Sequence, residues 1–177
     1  MAKFIQSVCV NTLALTLISL SSSAFAERPI LKASEQVEIT ATPEKVWAVI
    51  EHFDDLGWHP AVGSTLLIAG KADQAGAIRL IITRDGAKIT DQLLNQDGKA
   101  HSMTYRIVDS TLPVDHYQGT LQVLPNKTGS ILKWRSTFTR KDEKSVEGGD
   151  DVTAQKIITG IYTSGLSAVK ARLESGK

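Results

Sequence analysis

Polar and apolar residues alternate along most of the chain, and a period of two is typical of half-buried β-strands. The first alternating segment covers residues 34–40. From residue 64 to residue 140, further segments are separated by turn residues, of which Asp85-Gly86 and Asp97-Gly98 are hairpin dipeptides. The pattern predicts six more strands, at 64–69, 77–83, 87–96, 101–109, 115–124 and 129–140, with a longer hairpin loop at 125–129.

A short helix is predicted after the first strand. Thr42 can cap its free amide groups, Pro43 suits the first helical position, and Glu44 complements the positive end of the helix dipole. Apolar residues follow at helical spacing, so one face of this helix must pack against the rest of the protein. A second short helix or turn is predicted at 54–58, before Pro60.

A long amphipathic helix is predicted at the C-terminus, where Asp150 and Asp151 can cap its start. Its apolar residues recur at helical spacing: Val152, Ala154, Ile157, Ile158, Ile161, Tyr162, Leu166, Val169 and Leu173. The predicted fold class is α+β, a curved antiparallel sheet of about seven strands wrapped around the long helix, with two short helices after the first strand. Because one helix seldom fills such a concavity, an internal cavity is expected.

The N-terminus is predicted to be a secretory signal peptide covering residues 1–26. Lys3 precedes a mostly apolar, uncharged run, and Ala24-Phe25-Ala26 is a small-x-small cleavage site before Glu27. An uncleaved anchor is the alternative. Cleavage leaves residues 27–177 as a single domain in the periplasm or outside the cell, and it removes Cys9, the one cysteine. Thiol nucleophiles, disulfides and thiolate metal sites are then excluded from the mature protein.

Composition says little about partners. Hydrophobic residues make up 42% and charged residues 22% of the 177 positions, which is ordinary for a folded domain. Lys and Arg number 20 against 19 Asp and Glu, so no net field recruits nucleic acid or an anionic membrane. No apolar run in the body of the chain approaches the roughly 20 residues that span a bilayer, so no membrane span is expected after signal cleavage.

Motifs for several classes of catalysis are missing from the sequence. There is no Gly-x-Ser-x-Gly nucleophile elbow, no glycine-rich phosphate loop after a strand, and no His-Glu-x-x-His zinc motif. No cofactor and no metal are therefore expected. Among the four histidines, His59 is the best candidate for an acid or base, because it lies between Trp58 and Pro60 in a predicted loop. A solvated loop histidine is the alternative.

Strand periodicity selects candidates for the cavity wall. Tyr105, Tyr117 and Trp134 fall on the apolar faces of their strands, and Tyr162 falls on the apolar face of the final helix. Each of these rings combines a large apolar body with one polar atom, which suits either a core position or the orientation of a ligand.

Two charged residues interrupt the apolar strand faces. Arg79 alternates with Ile81, and Asp91 lies between Ile89 and Leu93. If buried, these charges need partners. Arg79 and Asp91 are therefore expected to form a pair or the polar end of a ligand site, unless they are exposed at a sheet edge.

Four segments carry a resemblance to a known family: 41–50 (ATPEKVWAVI), 53–60 (FDDLGWHP), 105–107 (YRI) and 112–114 (LPV). They resemble the helix-grip START/Bet v 1-like superfamily, in its polyketide cyclase/dehydrase branch. The resemblance implies a helix-grip fold, a loop with Trp58 and His59 at the cavity rim, and an arginine and an acid facing the cavity. Asp91 is shorter than the glutamate expected at the acid's position.

The resulting hypothesis is an exported, non-enzymatic binding or accessory protein that holds a small apolar or aromatic ligand in an internal cavity. The resemblance to exported members of the family implies that the protein supports periplasmic methanol oxidation, with a dehydrogenase and its cytochrome as partners. An exposed aromatic rim at Trp58 and Pro60 is the expected contact surface. The alternative is a polyketide cyclase or dehydratase in which His59, or Arg79 with Asp91, performs acid-base chemistry. A third possibility is a fully packed core and a function carried by the surface alone.

Overall fold

Seven antiparallel strands form a single curved sheet in the computed structural model of the protein, which describes residues 28–141 and 150–175. The strand order is β1-β7-β6-β5-β4-β3-β2. The strands are β1 (Leu31–Ile39), β2 (Val62–Ala69), β3 (Ile78–Thr83), β4 (Lys88–Asp97), β5 (Ser102–Ser110), β6 (Val114–Asn126) and β7 (Gly129–Arg140). All seven predicted strands are present, with ends that differ from the predicted ones by a few residues.

Within the described ranges, two helices accompany the sheet, α1 (Pro43–Ile50) and α2 (Asp151–Glu174). Thr42 precedes α1 in an extended conformation, but its side chain makes no capping hydrogen bond. Asp150 does cap α2, accepting from the backbone N–H of Thr153 at 2.8 Å. The first short helix and the long C-terminal helix therefore form as predicted, and the predicted cap is confirmed for α2 only.

The second short helix or turn predicted at 54–58 is a series of turns, and only the helical alternative is wrong. Residues 53–61 form successive turns, in which the N–H groups of Asp55, His59 and Val62 donate to carbonyl oxygens three residues earlier. Gly57 within the segment and Pro60 after it oppose regular helix. The loop at 125–129 is also shorter than predicted, since β6 and β7 pair up to Asn126 and Gly129.

The sheet wraps around α2 and places the core between them. The buried face of α2 is formed by Ala154, Ile158, Tyr162, Gly165, Leu166 and Val169. Side chains of α2 also reach the free edge of β1, where Gln155 Nε2 donates to the carbonyl oxygen of Lys32 and Lys170 Nζ donates to that of Glu38. This is the helix-grip arrangement, and it confirms the predicted fold class.

None of the helices in the described ranges is both long and apolar enough to cross a membrane. The predicted signal peptide, residues 1–26, and the predicted new N-terminus at Glu27 lie outside the described residues.

Candidate functional site

A partly open cavity of about 80 Å³ lies between the concave face of the sheet and α2. Its wall is mainly apolar, with side chains from the loop before β2, from β3 to β7 and from α2. Seven of the eight predicted site residues line it: His59, Arg79, Asp91, Tyr105, Tyr117, Trp134 and Tyr162. Their inward orientation agrees with the strand and helix periods; their role in ligand binding stays a prediction.

The eighth predicted site residue, Trp58, does not line the cavity. Its side chain is 8% exposed and packs against Trp134, with ring centroids 5.8 Å apart. The expected exposed aromatic rim at this position is therefore wrong, because the turns of residues 53–61 fold the indole into the core.

Arg79 and Asp91 form a buried ion pair. They lie directly opposite each other on β3 and β4, with 4% and 2% of their side chains exposed. Arg79 donates from Nε and Nη2 to Asp91 Oδ2, at 3.1 and 2.8 Å. Its Nη1 donates to the carbonyl oxygen of Phe53 at 2.7 Å, and the Phe53 ring lies 4.2 Å from the guanidinium carbon. The alternative drawn from the sequence, that Arg79 and Asp91 are exposed at a sheet edge, is therefore wrong.

The two oxygens of Asp91 have different surroundings. Oδ2 accepts both hydrogen bonds from Arg79, whereas Oδ1 is buried without a hydrogen-bond partner among the described residues. Burial raises the pKa of Asp91 above its ordinary value, and the charge and hydrogen bonds of Arg79 oppose that shift. A buried acceptor of this kind retains the capacity to bind a donor.

A chain of hydrogen bonds connects four aromatic side chains at the cavity. Trp134 Nε1 donates to Tyr105 Oη at 2.9 Å; Tyr105 Oη lies 3.1 Å from Tyr117 Oη, which lies 2.5 Å from Tyr162 Oη. Trp134 also stacks on Tyr162, with ring centroids 4.4 Å apart. Burial raises the pKa of all three tyrosines, so they stay neutral near pH 7.

His59 is bound to the backbone through both ring nitrogens. Nδ1 accepts from the N–H of Ala61 at 3.2 Å, and Nε2 lies 3.0 Å from the carbonyl oxygen of Ile161 in α2. This pattern requires a neutral ring that is protonated on Nε2. Burial lowers the pKa of His59, while the bond to Ile161 opposes that shift. His59 is therefore a buried connection between the loop and α2, and neither nitrogen is free for a substrate.

Two glycines make room for these rings, and neither was among the predicted site residues. A Cβ on Gly165 of α2 would lie 2.5 Å from His59 Cδ2 and 3.0 Å from Trp134 Cζ3. A Cβ on Gly119 of β6 would lie 2.7 Å from Tyr117 Oη. A glycine on the buried face of a predicted helix or strand is the signal that could have identified them.

One end of the cavity is bordered by side chains that are partly or fully exposed. They come from the loop before β2, the ends of β3, β4 and β5, the loop after β5, and α2: Ala61, Thr83, Ile89, Ile107, Leu112 and Ile161. Ile107 is directly opposite Asp91 in the register of β4 and β5, so this border extends to the strand position of the buried ion pair.

A candidate cation cluster lies elsewhere, at the surface. One ligand atom each from His52, Asp54 and Asp73 lies within 4.8 Å of the others. His52 Nδ1 is 3.2 Å from Asp73 Oδ2, and this hydrogen bond raises the pKa of His52. Asp73 also accepts from the backbone N–H of Phe53, so its position is explained by the structure of the loop.

The fold defines the class of protein, a helix-grip domain with a cavity between its curved sheet and its long helix. Residues 31–174 match the family described as "Polyketide cyclase / dehydrase and lipid transport". The chain belongs to this family, within the START/Bet v 1-like superfamily, which confirms the resemblance noted in the sequence.

Known relatives agree with this assignment. The chain is 27% identical to "MLP-like protein 423" of Arabidopsis thaliana over 128 residues, which is 66% of this chain and 78% of the relative. The solved structure of the protein XoxI from Bacillus cereus has 30% identity and a TM-score of 0.70, covering 84% of this chain and 98% of that one. An uncharacterised protein from Bacillus thuringiensis has 28% identity and a TM-score of 0.69, covering 82% and 98%.

Proposed function

We propose that this protein is an exported, non-enzymatic binding or accessory protein that holds a small molecule in the cavity between the sheet and α2. The observation that carries the proposal is the cavity itself, an apolar space that contains one buried ion pair and one chain of aromatic hydroxyl groups. Cavities with mainly apolar walls and a few oriented polar groups are typical of small-molecule sites.

The size of the cavity limits the ligand. About 80 Å³ is roughly half of the ~150 Å³ that accommodates benzene in an engineered protein cavity. A compact molecule of a few heavy atoms fits without movement of the walls. A polycyclic substrate would require the sheet and α2 to separate.

The state of His59 favours binding over catalysis. A general base must reach the proton that it removes through a free nitrogen. In His59 both nitrogens are bound to the backbone, and burial favours the neutral ring. The histidine best placed in the sequence for acid-base work is thus held in a structural role.

Xenon binding tests whether the cavity accepts a guest. We expect pressurised xenon to shift the methyl resonances of Ile81 and Ile158, which line the cavity, and not that of Ile50, a buried residue of α1 that does not line it. Ile158→Phe fills the space and should abolish the shift of Ile81, whereas Ile158→Val should retain it. Unperturbed methyl groups in the wild type would favour a packed core with a surface function.

The accessory role is a proposal about partners. The exported form resembles the methanol-oxidation accessory protein MxaD, and such a role implies contact with a periplasmic dehydrogenase and its cytochrome. The test is the rate of a purified periplasmic methanol dehydrogenase with its cytochrome, with and without this protein. An unchanged rate across a wide range of protein concentrations would contradict the accessory role and leave ligand binding intact.

A cyclase or dehydratase is the second candidate, and the unpartnered Asp91 Oδ1 in a cavity with tyrosine hydroxyl groups favours it. Its test compares conversion of small aromatic and polyketide-like substrates by wild type, His59→Ala and Asp91→Asn. General acid-base catalysis contributes about 10²–10⁴ in rate. If wild type converts a substrate and a folded variant loses at least a hundredfold, as judged by its circular dichroism, the enzymatic function replaces the binding one.

A further inference from the structure

We infer that the cavity selects a small neutral molecule carrying a hydroxyl group, which donates its proton to Asp91 Oδ1 and accepts one from the tyrosine chain. This inference rests on the proposed function, because it names the ligand chemistry of the same cavity. It follows from three observations: an acceptor without a donor, a donor without an acceptor, and the absence of a net charge in the polar part of the wall.

The acceptor is Asp91 Oδ1. The side chain of Asp91 lines the cavity and is 2% exposed, and all of its hydrogen bonds from Arg79 go to Oδ2. Oδ1 has no partner among the described residues. Leaving a buried carboxylate oxygen unpaired is costly, so a ligand that brings a donor to this atom gains binding free energy.

The donor follows from counting protons along the tyrosine chain. Tyr105, Tyr117 and Tyr162 have three hydroxyl protons, but only two Oη–Oη hydrogen bonds join them. The indole of Trp134 adds a further donor to Tyr105 and takes none away. One hydroxyl proton is therefore left over within the chain, whichever way the bonds are directed.

Ser136 does not remove this surplus. Its buried hydroxyl has no hydrogen-bond partner among the described residues, and a bond from Tyr162 to Ser136 would extend the chain by one link. Ser136 brings a proton of its own, so the extended chain again has one proton more than it has links. The hydroxyl group that carries the surplus proton can therefore donate a hydrogen bond to an oxygen atom of the ligand.

The two polar groups lie close together in the sheet. Leu93 of β4 is opposite Tyr105 of β5, so Asp91, two residues before Leu93, is a diagonal neighbour of Tyr105 on the same face. A hydroxyl group both donates and accepts, and it is the smallest group that satisfies both neighbours at once.

Charge excludes ionic ligands. Arg79 already balances Asp91, so an ammonium ligand would add an uncompensated positive charge to an apolar space, and a carboxylate would lie beside Asp91. Apolar wall residues such as Leu56, Ile81 and Ile158 favour a hydrocarbon body on the ligand. The cavity volume of about 80 Å³ restricts that body to a few carbon atoms.

The experiment compares 2-propanol with acetone, which has nearly the same shape and can accept but not donate. Binding is followed through the methyl resonances of Ile81 and Ile158, and xenon serves as the apolar probe. We expect wild type to bind 2-propanol at least tenfold more tightly than acetone. The double variant Arg79→Met/Asp91→Leu should still bind xenon but lose the preference, whereas Asp109→Asn, at an exposed carboxylate of β5, should keep it.

The outcomes separate this inference from the proposed function. If acetone and 2-propanol bind equally well, the cavity binds ligands without selecting a hydroxyl group, and the inference is overturned while the proposed function stands. If xenon binds and neither organic probe does, water alone satisfies the polar groups and the inference is again overturned. If no probe binds, the proposed function fails first. The wild-type comparison decides even where the double variant does not fold.

Discussion

The ring of His59 lies so close to the backbone of Gly165 that a Cβ on this glycine would be 2.5 Å from His59 Cδ2. The close approach lets Nε2 reach the carbonyl oxygen of Ile161, one turn earlier in α2. It also places His59 edge-on to Trp134, with ring centroids 6.1 Å apart. The contact between loop and helix thus depends on the absence of a single methyl group.

Gly165→Ala is expected to destabilise the protein. Overpacking a tightly filled site costs about 1–3 kcal/mol, and here the added carbon meets two rings that are packed against each other. The matched control is Gly160→Ala in the same helix, where a Cβ would meet nothing within 4 Å. Alanine there should stabilise by up to about 1 kcal/mol through helix propensity. Urea denaturation of both variants measures the difference, and equal effects would contradict the packing account.

Because Arg79 and Asp91 are paired in the core, single and double substitutions should change the free energy of unfolding differently. Arg79→Met leaves Asp91 as a buried, unpaired charge and should lower the free energy of unfolding by about 3–5 kcal/mol. Asp91→Leu leaves the Arg79 guanidinium as the buried, unpaired charge, and it should lower the free energy of unfolding by a similar amount. The double variant Arg79→Met/Asp91→Leu should recover most of the loss, because no unpaired charge remains. If the double variant instead lost the sum of the two single-variant losses in free energy of unfolding, the charge pairing of Arg79 and Asp91 would not account for their effect on stability.

Much of the fold is visible in local sequence patterns. A period of two fixes which face of a strand is apolar, so the positions of Tyr105, Tyr117 and Trp134 within their strands suffice to place them on the concave face. Helical spacing places Tyr162 in the same core. The sequence left open whether Arg79 and Asp91 are buried or exposed, because periodicity does not say which strand lies at an edge of the sheet.

Long-range contacts account for what the sequence did not reveal. The partner of His59 lies 102 residues further along the chain, and no local pattern encodes that distance. Trp58 was expected at an exposed rim, yet the turns before β2 fold it against Trp134. The space for Tyr105, Tyr117 and His59 depends on close approaches at Gly119 and Gly165, where a Cβ would meet these rings.

Export makes a prediction about the mature N-terminus. If residues 1–26 are a signal peptide, the protein recovered from the periplasm should begin at Glu27, since Ala24-Phe25-Ala26 provides a small-x-small cleavage site. Intact mass spectrometry of the periplasmic fraction gives the answer directly. Ala26→Leu should block cleavage and leave the unprocessed mass, whereas Ala26→Gly should be processed normally. A soluble periplasmic protein that retains Met1 would contradict the assignment.

His59 should make stability depend on pH in a definite direction. Because burial lowers its pKa in the folded protein below the ordinary value of 6.5, the unfolded chain binds the proton more readily. The stability that His59 contributes is therefore complete above about pH 6.5 and is lost as the pH falls through the pKa of the folded state. The free energy of unfolding of wild type, measured relative to His59→Gln, should decrease between about pH 8 and about pH 5.

His52 provides a control of opposite sign. Its exposed ring is hydrogen-bonded to Asp73, which raises its pKa, so the stability it contributes is present at low pH and lost as the pH rises. The advantage of wild type over His52→Gln should thus grow towards acid, while its advantage over His59→Gln shrinks. Because the two variants share the same substitution, general acid destabilisation cancels from the comparison. If both differences changed in the same direction, His59 would not be held neutral by burial, and its assignment as a structural connection to α2 would have to be abandoned.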